Sequence, residues 1–434
     1  MCVFFQVEST HYHVDNIPFP AVAICDSEMV YGPNTLNFTQ ILFRDYNETE
    51  IYDFYASFTK IKSKDYTPNE NVKKMHSVLE DLGYTYEKLT DTLKKPCDVL
   101  VKECVWRSHL VDCSKMFRHV FTIMGYCCQF DVQYFREQAG MGINLRTGTE
   151  VSEAMDIIVN SQRTLFNGSV EDSYEFLYVF DKQDNLTLLN RPITLPPLTY
   201  FDVTVNVWAI DSSSDVKALS LDNRKCFLPS DNEVNANSYQ GCMTVLMMRK
   251  VIGHCRCIPF NYDPKELKVE DFRQCSWERL KCIYKMIDQV QNDIRNIILE
   301  HECYQRCDYV QFDTEAEYIK LDRIPIGTAE RNTRVTVHFA DNTCLKYKRE
   351  VLYTWDQMLA NLGGIFGLCL GGSIISVIEL IWFVLGLLFT FCGFKNKVAE
   401  KKDTKMVFTL SKKNFTNTPS KFETKKIGRY PFLK

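Results

Sequence analysis

The longest apolar stretch of the chain runs from Ala360 to Phe394 and reads ANLGGIFGLCLGGSIISVIELIWFVLGLLFTFCGF, with Glu379 as its one charged residue. An apolar run of roughly 18 residues or more predicts a transmembrane helix. A straight helix over the whole stretch would reach about 50 Å, against a hydrocarbon core of roughly 30 Å. We therefore expect this helix to tilt strongly or to break, and Gly371, Gly372 and Ser373 are the obvious place for a break.

Two interpretations of these glycines stay open from their spacing alone. Gly363, Gly367 and Gly371 recur every four residues, which is typical of close helix–helix packing in membranes. A broken membrane helix is also tolerated where it lines water, and a lone carboxylate such as Glu379 needs a cavity or a partner there. The pattern therefore favours a pore lining as well. The two interpretations are compatible, because a pore formed by helices of several subunits also requires close packing.

Shorter patterns upstream predict a sheet with a helical insertion. Apolar and polar residues alternate in YFDVTVNV at 200–207 and in RVTVHF at 334–339, which predicts two strands. Helical spacing of apolar residues predicts helices over 72–82, 243–252 and 283–298. Two of these helices lie between the two strands in the chain, so we expect a central sheet that carries a helical insertion.

Composition places this upstream part outside the cell. The 434 residues carry a net charge of −4, so nothing marks the chain as binding nucleic acid, and no catalytic set, metal-binding motif or cofactor loop indicates an enzyme. Most of the 18 cysteines lie between Cys25 and Cys307. Candidate glycosylation sites occur in the same region, at Asn37, Asn47, Asn167 and Asn185. Many cysteines together with these sites are typical of an oxidising, extracellular compartment.

The tail after Phe394 has the opposite character. It is rich in lysine and has few acidic residues, and Cys392 is the last cysteine of the chain. Positive residues flank membrane helices on the cytoplasmic side, so we expect the C-terminus in the cytosol. The tail is interpreted either as a solvated end or as a segment attracted to anionic membrane lipid.

Three motifs resemble the degenerin/epithelial sodium channel superfamily, most closely its invertebrate pickpocket-like branch. The first is LGGIFGLCLGGSIISVIEL at 362–380, which is similar to the family's second transmembrane segment almost residue for residue. The second is NIPFPAVAIC at 16–25, and the third is the Gly-Tyr-Cys element at 125–127 with Phe130. The resemblance covers about residues 15–385.

The resemblance implies an α+β membrane protein with a large disulfide-rich extracellular domain. This domain, at 15–352, would comprise a β-sheet palm with a helical finger and a helical thumb at about 226–307. Residues 353–394 would be the pre-membrane segment and the broken second transmembrane helix, and 395–434 the cytoplasmic tail. Residues 1–14 would be the end of a first transmembrane helix and a linker. That helix is otherwise missing, so we expect the chain to be truncated at its N-terminus.

Disulfide pairing is implied by the same resemblance. The implied pairs are Cys25–Cys127, Cys104–Cys113, Cys226–Cys307, Cys242–Cys303, Cys255–Cys282 and Cys257–Cys275. Zinc is the rival explanation for the Cys-x-Cys spacing at 255–257, but an extracellular location favours disulfides. Cys97 and Cys128 are left over, and we expect them to pair with each other. The family's further thumb cysteine pair is replaced by Leu246 and His301, so one cross-link of the thumb should be absent.

The resemblance implies a subunit of a trimeric, amiloride-sensitive, sodium-selective channel of the plasma membrane, with Na⁺ as permeant ion and related subunits or further copies of itself as partners. Gly371, Gly372 and Ser373 would form the selectivity filter, with no cofactor. Gly367 matches the position linked to amiloride block, and Ala360 the position whose enlargement holds channels open. Glu379 would shape the field along the pore or pack as a hydrogen-bonded carboxyl. The alternative is a non-conducting cystine-rich receptor or a dominant-negative subunit.

Overall fold

The computed structural model describes residues 3–27, 30–61, 66–122, 124–139, 148–164, 170–184, 186, 190–231, 238–259, 262, 272–293, 296, 303–321, 331–370 and 374–391. Two compact units divide the chain, Met1–Trp355 and Asp356–Lys434. The first unit holds two β-sheets, a layer of helices and a disulfide-tied helical insertion, whereas the described part of the second unit is helical. Helices and strands together confirm a mixed α+β fold.

An eight-stranded sheet forms the centre of the first unit. Its spatial order is β1-β15-β12-β14-β7-β3-β4, with β13 paired to β12. The strands are β1 (Val3–His13), β3 (Val101–Trp106), β4 (His109–Val111), β7 (Met155–Asn160), β12 (Thr199–Ser212), β13 (Tyr309–Lys320), β14 (Asn332–Phe339) and β15 (Thr343–Val351). β12 and β14 confirm the two strands that alternation predicts, and they pair in parallel with Tyr200 opposite Arg334.

A five-stranded sheet in the order β11-β10-β2-β6-β5 packs against the first across a common core. Its strands are β2 (Ala21–Asp26), β5 (Phe117–Thr122), β6 (Gly125–Phe130), β10 (Glu175–Phe180) and β11 (Ile193–Leu195). Every residue of β2 is buried, because Val22 and Ile24 face the core shared with the large sheet while Ala21, Ala23 and Cys25 face a second cluster. A strand buried on both faces reads as a continuous apolar run, as AVAIC does.

The N-terminal third contributes a layer of helices with its own apolar core. The helices of this layer are α1 (Gly32–Leu42), α2 (Glu48–Thr59), α3 (Glu70–Asp81) and α4 (Tyr86–Leu93). Asn47 caps α2, because its side-chain oxygen accepts a hydrogen bond of 2.8 Å from the Glu50 backbone N–H. The Glu50 carboxylate in turn accepts a hydrogen bond from the Asn47 backbone N–H. Such a capping box fixes where a helix begins. α3 confirms the helix predicted over 72–82.

Short elements connect these larger ones. The short helices are α5 (Cys97–Leu100), α6 (Cys113–Met116), α7 (Val132–Ala139), α8 (Ser214–Lys217) and α9 (Leu221–Arg224), with 3₁₀ turns at Val14–Asn16 and Val151–Glu153. β8 (Gln162–Thr164) and β9 (Val170–Asp172) form a separate two-stranded ribbon.

The helical insertion consists of α10 (Tyr239–Cys255) and α11 (Trp277–Asn292), which pack together through a methionine-rich core. Both predicted helices are therefore confirmed, although α11 begins six residues before the predicted start at 283. The chain between these helices and after α11 is only partly within the described residues. Leu246 packs at the edge of this core, while His301 lies outside the described residues.

Seven disulfides join described cysteines. Six of them are the pairs that the resemblance implies, and the seventh joins the two left-over residues, Cys97 and Cys128. Cys255 and Cys257 bond to Cys282 and Cys275, so the Cys-x-Cys motif serves disulfides in this structure and not zinc. Three of the disulfides lie in or next to β2, β3 and β6, and the other four lie within the helical insertion or at its ends.

The expectation of a helix end before residue 14 is wrong. Residues 3–13 form β1, which pairs antiparallel with β15 from Val3 opposite Val351 to His13 opposite Thr343. The physical reason lies in the residues, because polar Gln6 and Glu8 alternate with apolar Phe5 and Val7, a pattern that suits a sheet edge better than lipid.

Candidate functional site

The two helices of the second unit occupy the apolar stretch. They are α12 (Trp355–Leu370) and α13 (Ile374–Phe391). No helix among the described residues combines the length and apolarity that a membrane crossing requires. The predicted filter residues Gly371, Gly372 and Ser373 lie between these helices, outside the described residues. The structure therefore places the flanks of the predicted filter and not the filter itself.

Apolar side chains on both helices are exposed to an unusual degree. Leu368 is 89% exposed and Trp382 is 73% exposed, and most other large apolar residues of α12 and α13 are exposed as well. Exposed apolar surface on this scale marks contact with lipid or with another protein chain. The described part of the chain therefore leaves the apolar surface of these two helices uncovered.

The other predicted pore residues lie on this exposed surface. Ala360 and Gly367 are both on α12, seven residues apart and hence on one helix face, and Glu379 is on α13. A Cβ atom added at Gly367 would meet no atom of the described chain within 4 Å. If close packing requires a glycine at this position, the packing partner must therefore come from outside this chain or from its undescribed part.

β15 is the strand that leads into α12. It ends at Val351, four positions before Trp355, and β1 runs beside it for nearly its whole length. Lys346 links three strands of the large sheet, since its Nζ lies 2.9 Å from a Glu8 carboxylate oxygen on β1 and 2.8 Å from one of Asp211 on β12. Hydrogen bonds to Asp211 and then Glu8 raise the pKa of Lys346 well above its usual range. This strand therefore has ionic as well as backbone attachment to the sheet.

The disulfide-tied insertion meets the same strand pair at its base. Cys226 and Cys307 are buried together with Val216, and Val3 of β1 and Val351 of β15 pack against them. Arg349 of β15 is buried, with its guanidinium 4.7 Å from the Phe5 ring centre and its backbone carbonyl accepting a hydrogen bond from Ser213 at 3.0 Å. The ends of the insertion and the strand that precedes α12 therefore share one apolar cluster.

Two of the four candidate glycosylation sites are within the described residues. Asn37 is exposed on α1, and Asn47 is exposed at the first turn of α2. Asn167 and Asn185 lie outside the described residues. Among the residues that the structure does describe, one group has the geometry of a metal site, namely Cys97, His119 and Cys128, but its two sulfur atoms are joined to each other.

Residue patterns alone gave no sign of two further features. His76 of α3 stacks on Trp277 of α11 at 4.5 Å between ring centres, beside a cavity of about 390 Å³. Burial lowers the pKa of His76 to about 4. Lys95 and Glu175 approach each other in the interior, 80 positions apart in the chain. No local pattern can reveal such pairs, because each forms only when distant elements pack together.

A disulfide-rich α+β unit followed by exposed apolar helices is typical of proteins with an extracellular domain and a membrane segment. The chain belongs to the amiloride-sensitive sodium channel family, whose model matches residues 3–383. This family consists of ion channels of the plasma membrane and not of enzymes. The predicted family is thus confirmed.

Several relatives of the chain are proteins of fruit flies. Pickpocket protein 11 of Drosophila melanogaster is 21% identical over 327 residues, which cover 70% of this chain and 58% of that protein. Sodium channel protein Nach of the same species is 21% identical over 413 residues, 87% of this chain and 75% of that protein. Pickpocket protein 19, also of D. melanogaster, is 24% identical over 419 residues, 88% and 79% respectively. These matches confirm the pickpocket-like branch.

Proposed function

We propose that the chain is a subunit of a trimeric, amiloride-sensitive, sodium-selective channel that carries Na⁺ passively across the plasma membrane. The observation that carries this proposal is the extent of the family match, which includes the disulfide-rich unit, α12 and the first part of α13 in one continuous stretch. The match to channel proteins of flies supports the same assignment at the level of the branch.

The orientation of the chain across the membrane follows from the chemistry of the parts on either side of the apolar stretch. Disulfides form in oxidising compartments, so the unit that contains them, at 15–352, is extracellular, with 226–307 as its thumb. Residues 353–394 hold the membrane segment, and the basic tail at 395–434 is cytoplasmic. Exposure of Asn37 and Asn47 supports this orientation, because a glycan needs room outside the fold.

Conduction is assigned to the connection between α12 and α13. Gly371, Gly372 and Ser373 of each subunit form a ring in which backbone carbonyls and the hydroxyl replace the water around Na⁺. Gly367, one turn earlier, forms part of the amiloride site. Ala360 lies at the gate, and Glu379 shapes the field along the conduction path or packs as a hydrogen-bonded carboxyl.

Association into a homo- or heterotrimer accounts for the exposed apolar helices. Lipid covers one side of α12 and α13, and the equivalent helices of the neighbouring subunits cover the other. Small residues at helix–helix interfaces let backbones approach closely, and the open space around Gly367 supports such a neighbour.

The test is a recording of amiloride-sensitive current from cells that express the chain alone and together with related subunits. Ser373→Asp should alter the Na⁺/K⁺ permeability ratio, measured as a reversal potential under bi-ionic conditions, or abolish the current. Ser376→Ala, about one turn away, is the matched control and should do less. Ser373 variants with unaltered selectivity would place the filter elsewhere.

A second outcome addresses the alternative function. If the chain reaches the surface, carries no current with any partner and suppresses the current of co-expressed subunits, it is a dominant-negative subunit. A surface protein that carries no current and leaves other subunits unaffected would be a receptor. Either result would contradict the proposed conduction.

A further inference from the structure

A buried cluster of charged side chains lies where the two sheets of the first unit meet. Glu175 is the first residue of β10 and is fully buried, and Asp26, the last residue of β2, is its cross-strand neighbour. Lys95 reaches this pair from the connection between α4 and α5, with its Nζ 3.7 Å from Glu175 Oε1. All three side chains are more than nine-tenths buried.

Lys95 also forms hydrogen bonds with the eight-stranded sheet. Its ammonium donates hydrogen bonds of 3.0 Å each to the backbone carbonyls of Asn160 and Gln162. Asn160 is the last residue of β7 in the eight-stranded sheet, whereas Asp26 and Glu175 belong to the five-stranded sheet. The ammonium group therefore bridges the two sheets, and its position depends on the charge of the carboxyl groups beside it.

The Glu175 carboxyl is poorly placed to carry a charge. It is fully buried beside the negative charge of Asp26, and a buried carboxylate is poorly tolerated unless it is paired and hydrogen-bonded. Ser173 donates a hydrogen bond of 2.6 Å to Glu175 Oε1, and the Ser27 backbone N–H also faces this carboxyl. Glu175 Oε2 is buried and has no hydrogen-bond partner among the described residues. Such an oxygen suits a protonated carboxyl better than an ionised one.

We propose that this cluster is a proton-binding site of the extracellular unit, which holds one proton when the protein is folded and releases it in mildly alkaline medium. Release leaves a buried carboxylate beside the negative charge of Asp26, with one of its oxygens unsatisfied among the described residues, and this weakens the junction between the sheets. The proposal rests on the geometry of the first unit and does not depend on conduction.

The direction of the pH effect follows from linkage. Burial, followed by the charge of Asp26, raises the pKa of Glu175 to about 8 from its ordinary 4.5, against the opposing effects of Lys95 and Ser173. Between these two values the folded state binds more protons than the unfolded state. Stability from this group is therefore fully present below the lower value and is lost as the pH rises through about 8.

The experiment measures thermal unfolding of the full chain in detergent between pH 5 and pH 9.5. One proton changes the unfolding equilibrium about tenfold per pH unit between pH 5 and about 8, and the effect levels off at higher pH because the group is then ionised in both states. We expect the melting temperature of the wild type to fall towards alkaline pH, and Glu175→Gln, which stays neutral, to remove most of that fall. Glu171→Gln is the matched control, because Glu171 is exposed and pairs with Arg163 outside the cluster.

A second variant keeps the proposal testable if Glu175→Gln folds poorly. Asp26→Asn removes the neighbouring negative charge and makes ionisation of Glu175 easier, so the midpoint of the decline in stability should move to lower pH. A Glu175→Gln protein that keeps the wild-type pH profile, or an Asp26→Asn protein with an unshifted midpoint, would overturn the proposal.

Discussion

Trp277 joins the disulfide-tied insertion to the layer of helices α1–α4, and its replacement by alanine should loosen that attachment. The side chain is only 4% exposed. Its ring stacks on His76 and meets Tyr86 edge-on at 5.7 Å between ring centres. The indole Nε1–H donates a hydrogen bond of 3.1 Å to the Tyr84 carbonyl. Trp277→Ala removes all of these contacts at once.

The magnitude follows from the burial. A buried tryptophan hides roughly 150–250 Å² of surface, worth about 4–6 kcal/mol at about 25 cal/mol per Å², and alanine retains part of this. Trp→Ala changes in protein cores cost roughly 3–5 kcal/mol. The Tyr84 carbonyl also loses its donor, which adds about 1 kcal/mol where water cannot replace it. We expect a total loss of about 3–5 kcal/mol.

The assay is calorimetric unfolding of the full chain in detergent, combined with hydrogen exchange of α3 and α11. Trp277→Ala should lower the melting temperature by at least about 5 °C and speed exchange in both helices. Trp277→Phe keeps an aromatic ring but loses the N–H donor, so its melting temperature should lie between those of the wild type and Trp277→Ala. Leu36→Ala, at a half-exposed position of α1, is the control and should change little. A Trp277→Ala protein that matches this control would refute the reasoning.

Two further predictions concern the gate and the disulfides. Ala360→Val should raise the resting current, because a larger side chain at a gate clashes with the closed packing; normal surface expression with unchanged current would place the gate elsewhere. Peptide mapping without reduction should recover Cys97 linked to Cys128, and free thiols at both positions would contradict the structure.

Much of the fold could be predicted because its signals are local. Alternation identified β12 and β14, and helical spacing identified α3 and α10, since a strand or helix buried on one face repeats its apolar residues with its own period. Motifs at 16–25 and 362–380 indicated the family, which the match over 3–383 confirms. Local reasoning failed at β1, where the ladder with β15 decides the conformation.

The sequence by itself determined the class of protein, the apolar stretch and the oxidising compartment, because composition and short motifs carry that information within a few neighbouring residues. Tertiary structure alone decided which distant groups meet. Lys95 reaches Glu175, and Trp277 reaches His76, only after separate elements pack, and neither partner is marked in the chain. Burial then sets the chemistry of these groups, since a carboxyl or an imidazole changes its pKa according to the charges and solvent that the fold leaves around it.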